Sequence, residues 1–125
     1  MLGDKTATAT IAVKNIDVAR KFYEEVLGLK QADAEEPGVV TYRTGDSEIL
    51  VYESQYAGTN KATAATWGVG DDLKNIVRDI RSKGVAFEHY DLPDTTREGD
   101  IHVSGNTKVA WLKDPDGNIL ALVNQ

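Results

Sequence analysis

The sequence predicts an α+β protein made of two tandem βαβββ modules. Three observations carry the prediction. Each half opens on a strand-like run rich in β-branched residues and alanine, at 6–13 and at 62–69. Each run leads into an amphipathic helical stretch that stops at a glycine. The landmarks also recur at a fixed spacing: Val13 and Val69 are 56 positions apart, and so are Gly28 and Gly84.

In the first module, Asp17 is placed to cap a helix, because its carboxylate can accept from the free N–H groups of the first turn. Val18, Phe22 and Val26 fall at i, i+4 and i+8 and form one apolar stripe. Gly28 ends the helix in the left-handed conformation that glycine takes at little cost. Three strands are predicted next, at about 29–35, 38–44 and 48–53, separated by turns at Pro37-Gly38 and Gly45-Asp46. Residues 54–61 read as a linker.

The second module restarts at 62–69. Asp71 or Asp72 caps its helix, whose stripe is Leu73, Ile76, Val77 and Ile80, and Gly84 closes it. Strands follow near 85–88, 107–113 and 119–123. The hairpin glycines Gly45 and Gly117 are 72 positions apart, so this module carries about 16 extra residues. They map to 89–105, predicted as a long loop that is either functional or a solvated Ω-loop.

The 125 residues suffice for one domain with a buried core, and 41% hydrophobic with 27% charged content is ordinary for a globular chain. The chain has no cysteine, which removes disulfides and thiolate metal sites and favours a reducing compartment. No signal-peptide pattern is visible and no apolar run is long enough to span a bilayer, so the expected location is cytoplasmic, without a membrane partner. A net charge of −6 argues against nucleic acid as a partner.

Two segments, Asp17-Val18-Ala19-Arg20-Lys21-Phe22-Tyr23-Glu24-Glu25-Val26-Leu27-Gly28-Leu29 and Trp111-Leu112-Lys113-Asp114-Pro115-Asp116-Gly117-Asn118-Ile119-Leu120, resemble signature stretches of the vicinal-oxygen-chelate superfamily. This is the group of glyoxalases, bleomycin-resistance proteins and extradiol dioxygenases. The resemblance implies one domain over 1–125, with module one at about 6–53, a linker at about 54–61 and module two at about 62–125. It implies a curved mixed sheet around a central hollow, with the helices on the outer face. It also implies a homodimer.

In metal-using members the ligands come from the first and last strands of each module. The matching positions are Thr8, Val51, Ala64 and Ala121. Valine and alanine offer no lone pair, and a neutral threonine hydroxyl is a poor ligand alone. The glutamate usual after the Gly-Asn turn is replaced by Ala121. No metal and no other cofactor is therefore expected. His89 and His102 are the two histidines of the chain; a rearranged site joining them to Glu53, Asp91 or Asp100 stays open, as does proton transfer by either.

Strand alternation predicts the walls of the hollow. Thr8 and Thr10, Thr41 and Arg43, Val51 with Ile49 and Glu53, Thr66 with Ala64, Trp111 with Val109 and Lys113, and Ala121 with Ile119 and Val123 are assigned to it. Tyr90, Arg97 and His102 of the 89–105 loop are expected to close over it. Trp111 can stack on a flat or cationic ligand; its other readings are core or dimer interface. Arg43 and Glu53 either fix a polar group or pair with each other.

Two functions follow. One is a small-molecule-binding protein of the metal-free bleomycin-resistance kind, with an aromatic or cationic ligand of unknown identity. The other is a lyase, isomerase or dioxygenase-like enzyme, metal-independent or with a rearranged metal site.

Overall fold

The computed structural model describes residues 1–32 and 36–125, in two compact units, Met1–Asn60 and Lys61–Gln125. In the first unit the order is β1 (Ala9–Val13), α1 (Ile16–Arg20), β2 (Lys30–Gln31), β3 (Val39–Thr44) and β4 (Ser47–Glu53). These strands form a four-stranded mixed sheet in the order β1-β4-β3-β2, with β1 parallel to β4. Residues 33–35 of the expected strand at 29–35 lie outside the described residues.

The cap of helix α1 lies two residues earlier than expected. Asn15, not Asp17, is the N-cap: its Oδ1 accepts from the N–H of Asp17 at 2.9 Å and of Val18 at 3.2 Å. The next turns, Lys21–Val26, wind as a π-helix, with the N–H of Leu27 donating to the carbonyl of Phe22 at 3.1 Å. The wider winding breaks the i, i+4, i+8 stripe. Val18 is left 47% exposed, Phe22 of the stripe is buried as expected, and Ala19 and Tyr23 are buried beside it.

The two-residue turn at Gly45-Asp46 sets the β3–β4 register, pairing Thr44 with Ser47 and so Thr41 with Leu50 and Val40 with Val51. Ile11, Val13, Val40, Tyr42, Ile49 and Val51 are all buried on one side. That side meets the helix, since the rings of Tyr42 and Tyr23 stack 6.0 Å apart. The Tyr42 hydroxyl donates to Glu24 at 2.8 Å, and Arg20 lies 3.4 Å from the same carboxylate oxygen. Burial, then Glu24, pushes the Tyr42 phenol well above its ordinary range.

The second unit repeats the plan with β5 (Thr63–Gly68), α2 (Leu73–Ser82), β6 (Phe87–Glu88), β7 (Thr96–Glu98), β8 (Ile101–Ser104), β9 (Thr107–Lys113) and β10 (Ile119–Val123). A 3₁₀ turn over Gly70–Asp72 leads into α2, whose first-turn N–H groups take no bond from the Asp72 side chain. Leu73, Val77 and Ile80 are its buried stripe. The mixed sheet runs β5-β10-β9-β8-β7, with β5 parallel to β10 and β6 also pairing β9.

The 89–105 segment is irregular over residues 89–95 and then forms the β7–β8 hairpin, which continues the edge of β9 that β6 begins: β6 pairs with Trp111 and Leu112, and β8 pairs with Thr107, Lys108 and Val109. The turn between β9 and β10 is organised by buried Asp114. Its carboxylate accepts from the N–H of Asp116 at 3.0 Å, the N–H of Asn118 at 2.8 Å and Asn118 Nδ2 at 2.8 Å. Among the described residues no helix is long and apolar enough to cross a membrane.

Candidate ligand-binding site

Register settles which predicted site residues share a face. In the first unit, Thr10, Leu50 and Thr41 form one row across β1, β4 and β3, on the side away from the buried row of Ile11, Val51 and Val40. Arg43 lies on the open side and is 3.9 Å from Glu48. Thr8 precedes β1, is exposed, and its carbonyl accepts from the Thr10 hydroxyl at 3.2 Å.

Val51 and Ile49 are the correction. Val51 has no exposed surface and Ile49 only 4%, because both sit in the helix-side core. Leu50 holds the open-side position instead. Both faces of β4 are apolar, so alternation carried no signal there, but the Gly45-Asp46 turn did. Glu53 is also engaged elsewhere: its Oε2 accepts from the N–H of Ile16 at 3.0 Å, which satisfies a free donor at the start of α1.

In the second unit the predicted residues come together. Thr66, Ala121, Trp111 and Glu88 form one row across β5, β10, β9 and β6. Val109, His102 and Arg97 form the adjacent row across β9, β8 and β7. The opposite side carries Leu122, Ala110, Leu112 and Phe87, all buried, with Trp67 half-buried. Ala64 sits where the β5–β10 register shifts, between the Thr63–Ile119 and Ala65–Leu120 pairs.

Three rings build the centre of this face. His102 meets Trp111 edge-on at 4.9 Å, Tyr90 meets Trp111 edge-on at 5.3 Å, and Tyr90 lies 6.2 Å from His102. His102 is only 2% exposed. Its Nε2 accepts from the N–H of Tyr90 at 3.0 Å, which assigns the proton of the neutral ring to Nδ1. Among the described residues His102 Nδ1 and the Tyr90 hydroxyl are buried without a partner. Burial raises the Tyr90 phenol above its ordinary value; Glu88 adds to this and Lys113 opposes it.

Around the rings lies a charged rim. Lys113 pairs with Glu88 at 3.5 Å beside Trp111. His89, left open in the sequence as a partner of Asp100, bonds Asp100 through Nε2 at 2.7 Å and accepts from Arg97 Nη1 through Nδ1 at 3.0 Å. Asp100 also lies 3.1 Å from Arg81 of α2. A depression of about 470 Å³ opens here, lined by His89, Tyr90, Asp91, Thr95 and Arg97.

The duplicated βαβββ plan, with a long turn-borne insertion in the second copy, defines the class of fold. The chain belongs to the Glyoxalase/Bleomycin resistance protein/Dioxygenase superfamily, whose family model matches residues 5–122. Its fold is similar to a bleomycin resistance determinant encoded on the transposon Tn5, at 22% identity and a TM-score of 0.72, covering 97% of this chain and 98% of that one. It is also similar to a lactoylglutathione lyase from Agrobacterium tumefaciens, at 15% identity and a TM-score of 0.70, covering 97% and 94%. A third is the fosfomycin resistance protein FosX from Mesorhizobium loti, at 10% identity and a TM-score of 0.69, covering 98% and 92%.

The residues present do not fit the metal that this fold carries in its metal-using members. The strand positions concerned hold Thr8, Ala64, Ala121 and, by register, Leu50 in place of Val51. Together they offer one neutral hydroxyl. Among the described residues no three His, Asp or Glu side chains gather to hold an ion.

Proposed function

We propose that this protein is a small-molecule-binding member of its superfamily that holds a flat ligand on the open face of the second sheet without a metal. The observation that carries the reading is the ring cluster of Trp111, Tyr90 and His102 beside a depression of about 470 Å³. A half-buried aromatic flanked by a few polar groups is the usual make-up of a small-molecule site. Trp111 supplies the stacking surface, and Arg97, which lines the depression, supplies a polar contact at the rim. Cationic ligands draw on the Trp111 face and Glu88, anionic ones on Arg97.

Proton-transfer chemistry finds little support in the named candidates. His102 Nε2 is engaged by Tyr90 and its Nδ1 is buried. Glu53 holds the start of α1. A raised Tyr90 phenol is a poor base at neutral pH. The enzymatic alternative, a metal-independent lyase or isomerase, rests on one observation, the 2.7 Å His89–Asp100 pair at the depression. We further propose a cytoplasmic homodimer that binds no nucleic acid, from the lack of cysteine, the net charge of −6 and the family.

The test is titration with aromatic probes read by tryptophan fluorescence, with elemental analysis of the purified protein. Saturable quenching that disappears in Trp111→Phe is the expected result. Unchanged quenching in that variant, or a stoichiometric bound metal, overturns the reading. Light scattering that shows a monomer at micromolar concentration removes the dimer.

A further inference from the structure

We propose that Arg97 is a pre-set oxyanion clamp, so that the ligand of this face is a flat molecule bearing a carboxylate or phosphate. The proposal rests on the second sheet face being a ligand site and assigns the ligand's charge.

The case begins with how the guanidinium is held. Arg97 Nη1 donates to His89 Nδ1 at 3.0 Å and to the carbonyl of Gly99 at 3.0 Å, so both of its hydrogens are committed. Among the described residues Nε and Nη2 take no protein partner, and Arg97 has no carboxylate partner. The committed nitrogen fixes the plane of the group, and the free edge is the two-donor fork that matches a carboxylate or phosphate.

The fixing runs deeper than one side chain. His89 is itself anchored on Asp100 at 2.7 Å, and Asp100 on Arg81 at 3.1 Å. This chain of contacts ties the β7–β8 hairpin to α2. A group already held needs little ordering when a ligand arrives. The Asp100 charge is also offset by Arg81, so it does not neutralise Arg97 alone.

The surroundings suit an anion with a flat body. Arg97 on β7 pairs directly with His102 on β8, in the row next to Trp111 and on the same side. Strand spacing and pleat put the two backbones roughly 12 Å apart. The long arginine side chain and a one-ring ligand together span that distance. Thr95 in the depression already donates to the carbonyl of Pro93 at 2.9 Å. Asp91 is the opposing charge in the lining.

Calorimetric titration with benzoate, phenyl phosphate, benzamidine and benzyl alcohol tests the assignment, with Trp111 fluorescence read alongside. The two anions are expected to bind about tenfold or more tightly than the cationic and neutral rings, and to weaken as salt rises. Comparison of benzoate with phenyl phosphate separates the planar from the tetrahedral oxyanion. Arg97→Gln should abolish the preference. Arg97→Lys should restore part of it, because an ammonium keeps the charge and loses the fork. Asp91→Asn should tighten both anions. Benzamidine or benzyl alcohol binding as well as benzoate overturns the clamp, as does an unchanged preference in Arg97→Gln or Arg97→Lys with native circular dichroism. If all four rings bind alike through Trp111, the anion assignment alone falls. If none binds, the ligand site falls with it.

Discussion

A carboxylate placed at Val51 should unfold the first unit, while the same carboxylate at Leu50 should be tolerated. Val51 has no exposed surface and lies between Ile11 and Val40 in register. Val51→Glu forfeits the valine's burial, about 2 kcal/mol. It also leaves an unpaired charge in the core, at a cost of about 3 kcal/mol or more. Together these approach the whole stability of a typical domain, about 5–15 kcal/mol. Leu50 is half-buried on the open side, so its glutamate keeps its charge in water and loses about 1 kcal/mol of apolar burial. Urea unfolding followed by far-ultraviolet circular dichroism reads both variants. Leu50→Glu should unfold cooperatively with a midpoint lowered by about 0.5–1 M. Val51→Glu should lack a native baseline or unfold at much lower urea. Equal midpoints, or a more damaging Leu50→Glu, would refute the face assignment and return Val51 to the open side.

Asp114→Ala removes the acceptor for three donors in the β9–β10 turn and should cost about 3 kcal/mol in urea unfolding, with Asp114→Asn intermediate. The raised Tyr42 phenol sets an alkaline limit. Up to about pH 10 it is protonated in both states; above that the unfolded chain ionises first, so stability falls as pH rises. Tyr42→Phe should flatten the fall between pH 10 and 12, roughly, measured as the urea midpoint against pH. Gly68→Ala places a Cβ 2.9 Å from the carbonyl of Gln125, which also accepts from the N–H of Gly70. It should displace the C-terminal residues and lower the melting temperature, whereas the same change at Gly3, which meets nothing, should leave it unaltered.

Much of the fold was legible because its signals are local. Gly28 and Gly84 take positive φ, at 74° and 92°, as the ends of the two helical stretches require. The equal spacing of the two modules is a property of the chain alone. Trp111 could be assigned to the open face because β9 alternates between buried and half-buried or exposed positions, whereas β10 is apolar throughout and Arg97 and His102 were expected only to close over the face. Asn15 was passed over as a cap because Asp17 offered the same chemistry two residues later. The π-wound turn left no mark in the apolar spacing.

The sequence by itself determined the duplication and the place of the insertion. Tertiary structure decided which way β4 faces, because four consecutive apolar side chains satisfy either side and only pairing with β3 breaks the tie. It also decided that the insertion ends in a hairpin over 96–104. Short, exposed strands such as β7 carry little pattern of their own, and the open edge of β9 gives the hairpin its partner. That pairing brings His89, Arg97 and Asp100 together. These contacts join the residue after β6, β7, the turn before β8 and Arg81 of α2, and no spacing along the chain encodes them.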